Sequence, residues 1–145
     1  MNQVDPQTAP GAPMILKAIG RVRSPQQDTH TLPHQGRGRD IQAVIEMFPP
    51  YQAAARDIQP GRLIWVLTWM HLAERHLLQV HPQGDQAKPL TGVFSTRSPA
   101  RPNPIGLSLV EVLTRTADEI TVRGLEVVDG TPVLDIKPHH PGIDS

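Results

Sequence analysis

A proline-rich segment in the second half of the chain, GVFSTRSPARPNPIGLSL from Gly92 to Leu109, restricts the possible folds more than any other stretch. Pro99, Pro102 and Pro104 each fix the backbone φ angle and lack an N–H donor, so neither a helix nor a central strand can continue through them. The residue before each proline is driven towards extended geometry. We therefore predict a stiff, extended loop between two apolar runs. The residues alone leave two interpretations open, a ligand-binding loop and a rigid structural or interface loop.

The composition favours one β-rich domain. The chain of 145 residues contains 16 prolines and 11 glycines, which is typical of short elements joined by many turns. It contains no cysteine, which excludes disulfides, thiolate metal sites and cysteine nucleophiles. Lysines and arginines balance aspartates and glutamates at 14 each, so nucleic-acid binding would have to come from a local patch.

The chain divides into a leader and one domain. Residues 1–13 are polar and proline-rich and are predicted to be a disordered leader, and residues 14–145 are predicted to form the domain. The leader lacks the apolar centre of a signal peptide, and the longest apolar run, near Leu63 to Met70, is too short to span a membrane. We therefore expect a cytoplasmic protein without a membrane partner.

Apolar patterning predicts about seven strands and one or two short helical pieces. Because the strands follow one another without βαβ alternation, we predict a mainly β fold, a single-domain mixed or antiparallel β-barrel with few short helices. Leu107, Leu109 and Leu113 are predicted to share one face of their strand. The run Arg62–Met70 is apolar on both faces, which is typical of a covered central strand or of a subunit interface. The predicted strands are Met14–Val22 (with a possible bulge at Gly20), Ile41–Phe48, Arg62–Met70, His76–Val80, Gly106–Leu113, Glu119–Leu125 and Thr131–Lys137, and the helical piece is Tyr51–Ile58.

The polar residues of the proline-rich loop are the best candidates for a ligand site. Arg97 and Arg101 offer fixed forks of donors for a carboxylate or phosphate, and Asn103 adds a neutral donor and acceptor. Gly36-Arg37-Gly38 places a further cation between two residues that permit close backbone approach. The alternative is that these charges form structural ion pairs, Arg97 with Asp135 and Arg101 with Glu126. The seven histidines show no convincing metal-ligand spacing, and we predict no metal site.

Two long motifs carry a family resemblance. GVFSTRSPARPNPIGLSLVEV and EVVDGTPVLDIKP, together with IGRVRSP and LPHQG nearer the start, resemble the TrmO/TsaA-like (YaeB-like) family of S-adenosylmethionine-dependent tRNA methyltransferases. The resemblance covers most of residues 15–138. It implies a β-barrel that is usually a homodimer and binds S-adenosylmethionine near the subunit interface. It also implies N6-methylation of N6-threonylcarbamoyladenosine at position 37 of tRNA.

The resemblance also implies site residues. Matching the family motifs residue by residue gives cofactor contacts at Gly36, Arg37, Gly38, His71, Leu72, Arg97, Leu107, Gly124, Leu125 and Glu126. Arg101, Asn103 and Lys137 lie in the signature motifs and are predicted to bind the substrate. This sequence has His34 where the family usually has arginine, and His139 where it usually has tyrosine.

The chemistry of S-adenosylmethionine is compatible with these residues. An arginine can bind its carboxylate, Glu126 can face its sulfonium, and Leu107 and Leu125 are predicted to sandwich its adenine. Methyl transfer is an in-line displacement that depends chiefly on holding the two reacting atoms in attack geometry. Asp135 or His139 is predicted to act as a catalytic base. Two alternatives remain open, a methyltransferase of this fold that acts on a small molecule and a non-catalytic S-adenosylmethionine-binding regulatory module.

Overall fold

A closed antiparallel barrel of six strands forms the body of the protein. A computed structural model describes residues 11–26 and 40–144, in which the barrel strands follow the order β1-β2-β7-β6-β3-β8, and β4 and β5 form a separate small sheet. The predicted mainly β barrel is confirmed, and all described strand pairs are antiparallel. The strands are β1 Gly20–Arg23, β2 Gln42–Met47, β3 Leu63–Trp69, β4 Gln79–Val80, β5 Thr91–Gly92, β6 Ile105–Arg115, β7 Glu119–Arg123 and β8 Pro132–Pro138.

Helices are few and short. Among the described residues, 3-10 helices span Pro49–Ala55, Pro82–Gly84 and Val93–Ser95, and a short α-helix, α1, spans Pro141–Asp144. The first of these replaces the helical piece predicted at residues 51–58, and it begins at the Pro49-Pro50 pair that favours a helix start. Within the described ranges 11–26 and 40–144, no helix is long and apolar enough to cross a membrane.

The core fills the barrel interior with alternate residues of each strand. Ile120 and Val122 of β7 point inward, and the neighbouring strands contribute residues of the same kind. Burial of each such side chain stabilises the fold by about 1.5–3 kcal/mol. The fully buried aliphatic residues of the barrel strands are Val22, Ile45, Val66, Val110, Val112, Ile120, Val122 and Val133.

The first and last strands close the barrel. Gly20 is paired with Val133 of β8 on one side and with Met47 of β2 on the other. A Cβ at Gly20 would overlap the backbone carbonyl of Glu46, so the close approach of the two strands requires glycine. The predicted bulge at Gly20 is wrong, because the register through this residue is regular. The strand also starts at Gly20 rather than Met14, since residues 12–19 lack ladder pairing.

Strand β6 buries the face that carries Val110 and Val112 and not the face that carries the leucines. Val110 and Val112 lie in the core, whereas Leu107 and Leu109 are exposed on the outer surface. Both faces of this strand are apolar, so alternation could not distinguish them. The outer leucines lie beside Leu67 and Trp65 of β3, to which they are paired. Together with neighbouring side chains they form an apolar outer face, made of Leu63, Trp65, Leu67, Trp69, Ile105, Leu107 and Leu109.

Residues 71–104 leave the barrel between β3 and β6, and we call them the excursion. The excursion contains the small β4–β5 sheet and the 3-10 helices Pro82–Gly84 and Val93–Ser95. Only Gln79–Val80 of the strand predicted at residues 76–80 is present. The excursion ends in the predicted proline loop, whose Pro104 carbonyl accepts a hydrogen bond from the Met70 N–H at 2.8 Å. Its two ends are thereby joined at the end of the barrel where β3 stops and β6 begins.

Candidate functional site

A cleft of about 500 Å³ lies where the proline loop meets the barrel, and we call it the proline cleft. Its walls are the end of β3, the start of β6, the proline loop and the segment after β7. Its size is within the usual range for small-molecule sites. The lining residues are Thr68, Met70, Thr96, Arg97, Arg101, Asn103, Ile105, Gly106, Leu107, Ser108, Glu126 and Val127.

Arg101 determines the shape of the proline loop. Its guanidinium donates hydrogen bonds to the carbonyls of Thr96 (3.1 Å), Ser98 (3.2 Å) and Val93 (3.1 Å). Prolines cannot supply backbone donors to such a loop, so a side-chain donor satisfies these carbonyls instead. The fork of fixed donors suits arginine better than lysine. Arg101 therefore serves the loop's structure, and the predicted role in substrate binding remains a prediction.

The packing at the floor of the cleft requires a glycine at position 106. A Cβ at this position would lie 2.5 Å from Thr68 Oγ1 and 3.0 Å from Met70 Sδ. Thr68 is fully buried, and its hydroxyl lies 3.7 Å from the same sulfur. The side chains of Thr68 and Met70 thus occupy the space that any larger residue at 106 would take. The glycine of RPNPIG is required by packing at the cleft floor.

Opposite charges face the cleft from two walls. Arg97 comes from the proline loop, and Glu126 comes from the segment after β7. Both side chains are exposed, and no described residue forms an ion pair with either. Gly124, at φ +98°, turns the chain at the end of β7 and donates its N–H to the Ile41 carbonyl at 2.9 Å. The Arg97 guanidinium and the Glu126 carboxylate therefore line the cleft without being paired to each other. This arrangement suits a ligand that carries both a negative and a positive charge.

The structure brings five of the predicted site residues together in the proline cleft. Arg97, Leu107 and Glu126, predicted to bind the cofactor, line the same cleft as Arg101 and Asn103, predicted to bind the substrate. His71 and Leu72 are exposed one and two residues beyond Met70, next to the cleft but not in its lining. The two structural ion pairs considered above, Arg97 with Asp135 and Arg101 with Glu126, do not form. The predicted residues Gly36, Arg37 and Gly38 lie outside the described residues.

The burial of Leu125 contradicts the prediction that its side chain packs against the adenine. Its side chain is 0% exposed and packs in the barrel core, so it cannot present a face to a ligand. Gly124 before it and Glu126 after it are the residues of this segment that reach the surface. Leu107, in contrast, is 54% exposed beside the cleft. Of the two leucines, only Leu107 has a side chain available for an apolar ring.

The predicted catalytic residues lie outside the proline cleft. Asp135 and His139 line a different cavity of about 570 Å³, which shares no lining residue with the cleft. Asp135 is paired with Leu67, which is paired in turn with Leu107, so two strand spacings or about 10 Å separate it from the cleft wall. Its carboxylate accepts hydrogen bonds from the Ile136 N–H (2.9 Å) and faces Lys137 Nζ (3.1 Å). Within one copy of the chain, Asp135, His139 and Lys137 do not line the proline cleft, and their predicted roles in catalysis and substrate binding remain predictions.

The end of the chain has a structural arrangement of its own. The ring centroids of His139 and Trp65 are 6.0 Å apart, and the Trp65 indole N–H donates to Asp144 Oδ2 at 3.3 Å. The His140 N–H donates to the same oxygen at 2.9 Å. The hydrogen bond from His140, followed by that from Trp65, lowers the pKa of the Asp144 carboxyl. These contacts hold α1 against β3.

Sequence reasoning missed part of the cleft floor. Thr68, Met70, Ser108 and Val127 line the cleft and were not among the candidates. Thr68 had a detectable signal, because it is the single hydroxyl residue in the apolar run LIWVLTWM. A buried polar side chain in such a run needs a local reason. Nothing in the sequence around Met70 and Val127 distinguishes them from core residues.

Comparison with known proteins gives a consistent result. Residues 21–145 match the model of the tRNA-methyltransferase O N-terminal domain. A protein of Methanothermobacter thermautotrophicus, named "Probable S-adenosyl-L-methionine-binding protein", is 47% identical over 130 residues, which cover 90% of this chain and 93% of that one. The Escherichia coli tRNA (adenine(37)-N6)-methyltransferase is 35% identical over 141 residues, which cover 90% of this chain and 59% of the enzyme.

A solved structure shows the same fold. The crystal structure of TrmO from Pseudomonas aeruginosa superimposes with a TM-score of 0.71 at 30% sequence identity. The match covers 90% of this chain and 58% of that one. The chain therefore spans nearly all of the archaeal relative but less than two thirds of the two bacterial proteins.

Proposed function

The chain belongs to the tRNA-methyltransferase O family, and on that premise we propose that it is an S-adenosylmethionine-dependent methyltransferase that modifies tRNA. The proposed reaction is N6-methylation of N6-threonylcarbamoyladenosine at position 37. The observation that carries the proposal is the proline cleft, in which Arg97, Leu107 and Glu126 meet. These three residues come from three separate segments of the sequence.

The donor set of the cleft fits S-adenosylmethionine. Arg97 offers a guanidinium for the carboxylate of the methionine part. Glu126 offers a carboxylate for its positive charges, and Leu107 offers an apolar surface for the adenine. Gly106 lets Thr68 and Met70 pack against the backbone at the floor, where a Cβ would displace them. When bound, the cofactor supplies an electrophilic methyl group.

The chain's contribution to the reaction is positioning. Methyl transfer gains most from fixing the acceptor nitrogen against the methyl group, and a stiff loop does this at low entropic cost. Arg101 and the three prolines fix the loop that carries Arg97 and Asn103. The Asn103 amide is exposed at the rim of the cleft, where it can donate to a polar substrate group.

We also propose that two copies of the chain associate through the apolar outer face. Leu107 and Leu109 of β6 and Leu67 and Trp65 of β3 form one continuous row of apolar side chains on that face. Contiguous apolar surface of this kind is typical of interfaces. A two-fold dimer buries the same patch on both copies. Because Leu107 belongs to both this face and the cleft, a second copy would border the cofactor site.

Light scattering tests the dimer. The expected mass is twice the 16.0 kDa of one chain. Leu109→Glu places a charge at the centre of the face and should give the mass of a single chain, while Leu78→Glu, in the excursion, should not change the mass. A wild-type protein that is monomeric at micromolar concentration would contradict the proposed association.

Calorimetry with S-adenosylmethionine tests the site. Arg97→Ala should weaken binding by about 2 kcal/mol, the typical loss of a charge-assisted hydrogen bond. Arg56→Ala is the matched control, because Arg56 is an exposed arginine whose only described partner is the adjacent Asp57. Unchanged affinity in a folded Arg97→Ala protein would remove Arg97 from the site.

A methyl-transfer assay tests the substrate. The acceptor is tRNA from a strain that lacks the methylation at adenosine 37, and the product is identified by digestion to nucleosides. We expect a methyl group on N6 of threonylcarbamoyladenosine. If the protein binds S-adenosylmethionine but does not methylate this tRNA, the proposed substrate is wrong. The protein would then be a cofactor-binding module or an enzyme with another acceptor.

A further inference from the structure

Phe94 projects into solvent from the excursion. Its side chain is 82% exposed, the largest value among the large apolar residues of the described ranges and close to the 81% of Ile143. The preceding residue, Val93, is buried and donates its N–H to the Leu78 carbonyl at 2.9 Å. The backbone at Phe94 is therefore anchored while its ring remains in water.

The turn that carries Phe94 is held from several sides. The Val93 carbonyl accepts hydrogen bonds from the Thr96 N–H (3.1 Å), the Thr96 hydroxyl (2.9 Å) and Arg101 (3.1 Å). The guanidinium carbon of Arg101 lies 6.0 Å from the centroid of the Phe94 ring, at the outer limit of a cation–π contact. The ring thus stands on a pre-formed turn, and a ligand that contacts it need not order the backbone first.

The ring is close to the proline cleft. Thr96 and Arg97, two and three residues further along the chain, line the cleft. Since a residue spans at most about 3.6 Å, the Phe94 backbone lies within about 7 Å of the Thr96 backbone. The excursion also carries four lysines and arginines against two aspartates and glutamates, although the whole chain is neutral. A polyanion is therefore favoured beside the ring.

We propose that Phe94 is a stacking platform for an unpaired base of the RNA, next to the nucleotide that enters the proline cleft. This inference rests on the function proposed above and names a contact within it. Single-stranded RNA is bound chiefly by stacking of splayed bases on aromatic side chains, combined with nearby cations. A rigidly mounted ring with the Arg101 guanidinium beside it provides both elements.

Phe94 lies apart from the apolar outer face. This separation favours an RNA base over a protein as its partner. That face consists of residues of β3 and β6, whereas Phe94 lies in the excursion beside the Arg101 guanidinium. A protein-docking patch would instead use the exposed leucines of the excursion, Leu78 and Leu90, together with Phe94. This alternative predicts equal losses on truncating any of the three.

The experiment compares Phe94→Leu, Phe94→Trp and Leu78→Ala with wild type. Phe94→Leu keeps an apolar side chain but removes the ring face, and Phe94→Trp retains one. The probes are two anticodon stem–loop RNAs that contain threonylcarbamoyladenosine at position 37 and 2-aminopurine on its 5′ or 3′ side. Binding is measured by fluorescence anisotropy, and stacking by the 2-aminopurine emission of the saturated complex.

Stacking on Phe94 predicts that Phe94→Leu weakens RNA binding by about 5- to 150-fold, the range for loss of one stacked base. One of the two probes should be dimmer in the wild-type complex than in the Phe94→Leu complex. Phe94→Trp should restore both readouts, Leu78→Ala should behave as wild type, and S-adenosylmethionine affinity should be unchanged in all four proteins.

Three outcomes overturn the inference. Wild-type RNA affinity and emission in Phe94→Leu would exclude stacking while leaving the proposed function intact. Parallel losses in Phe94→Leu and Leu78→Ala, with a changed mass in light scattering, would show a protein contact instead. A wild-type protein that neither binds nor methylates the stem–loops would remove the proposed function and this contact together.

Discussion

The barrel and the excursion are held together by different kinds of bond. The barrel depends on strand ladders and on apolar side chains that alternate into its interior. In the excursion, arginine side chains bind main-chain carbonyls: Arg101 binds three, and Arg75 donates its Nε to the Pro102 carbonyl at 2.9 Å while lying over the Trp69 ring. Stability is therefore spread over many interchangeable contacts in the barrel, whereas the shape of the cleft depends on a few specific ones.

The largest expected effect is in the barrel interior. Ile120→Ala removes a fully buried side chain of β7 and should lower the free energy of unfolding by about 2–5 kcal/mol. Leu90→Ala, at an exposed leucine of the excursion, should change it by about 0.5 kcal/mol or less. Urea denaturation measures both. Comparable losses in the two variants would mean that the excursion is part of the same cooperative core.

A smaller effect is expected where the two regions meet. Gly106→Ala forces a Cβ to within 2.5 Å of Thr68 Oγ1 and should cost about 1–3 kcal/mol of stability. It should also weaken S-adenosylmethionine binding by at least about tenfold, because the cleft floor must shift. Gly92→Ala is the control, since a Cβ there meets nothing within 4 Å. Wild-type affinity for S-adenosylmethionine in a folded Gly106→Ala protein would show that the cleft floor is not part of the binding site.

Within the excursion, Arg101→Lys tests whether one fork of donors shapes the loop. Lysine keeps the charge but cannot reach three carbonyls in a fixed geometry, so we expect a loss of about 1–2 kcal/mol. Hydrogen exchange should accelerate at Thr96 and at neighbouring amides of the loop and remain slow in β7. Faster exchange throughout the barrel would show that the two regions do not unfold independently.

The smallest effect concerns an ion pair on the barrel surface. Arg21 Nε lies 3.0 Å from Glu46 Oε2, and this hydrogen bond, with a further one from Arg23, lowers the pKa of Glu46 below its ordinary value of 4.5. Glu46→Gln should cost about 0.2–1 kcal/mol at neutral pH. A lowered pKa stabilises the folded state above the ordinary pKa, and this contribution disappears as the pH falls through the folded value.

Urea midpoints of the wild type and of Glu46→Gln measure this contribution. The difference between them should shrink as the pH falls below 4.5 and through the lowered pKa of folded Glu46. A difference that stays constant over this range would mean that the side chain contributes by packing instead of by charge.

The barrel was largely predictable because its strands have a clear period. The alternation of Ile120 and Val122 with polar residues indicates both β7 and its buried face. Prediction failed where periodicity carries no information. Both faces of β6 are apolar, so Leu107 and Leu109 could not be distinguished from core residues. Likewise, the apolar residues before Gly20 resemble a strand but are not in one, although Ile19 donates its N–H to the Val133 carbonyl.

The site was predictable only in part, since a motif gives residues but not their side-chain directions. Arg97, Leu107 and Glu126 do meet in one cleft. Leu125 is buried because its position after Gly124 directs it into the barrel, which no spacing in the sequence indicates. Asp135 belongs to a signature motif yet faces outward from β8, two strands from the cleft. Arg101 binds carbonyls of its own loop, an arrangement visible only once the turn geometry is known.

The pairing of β1 with β8 has a consequence for biosynthesis. Gly20 and Val133 are register partners although more than a hundred residues separate them along the chain. The barrel can close at this β1–β8 seam only after β8 has left the ribosome. Until that moment the nascent polypeptide exposes two unpaired edges and a half-covered interior, so chaperone dependence and slow maturation should both originate at this seam.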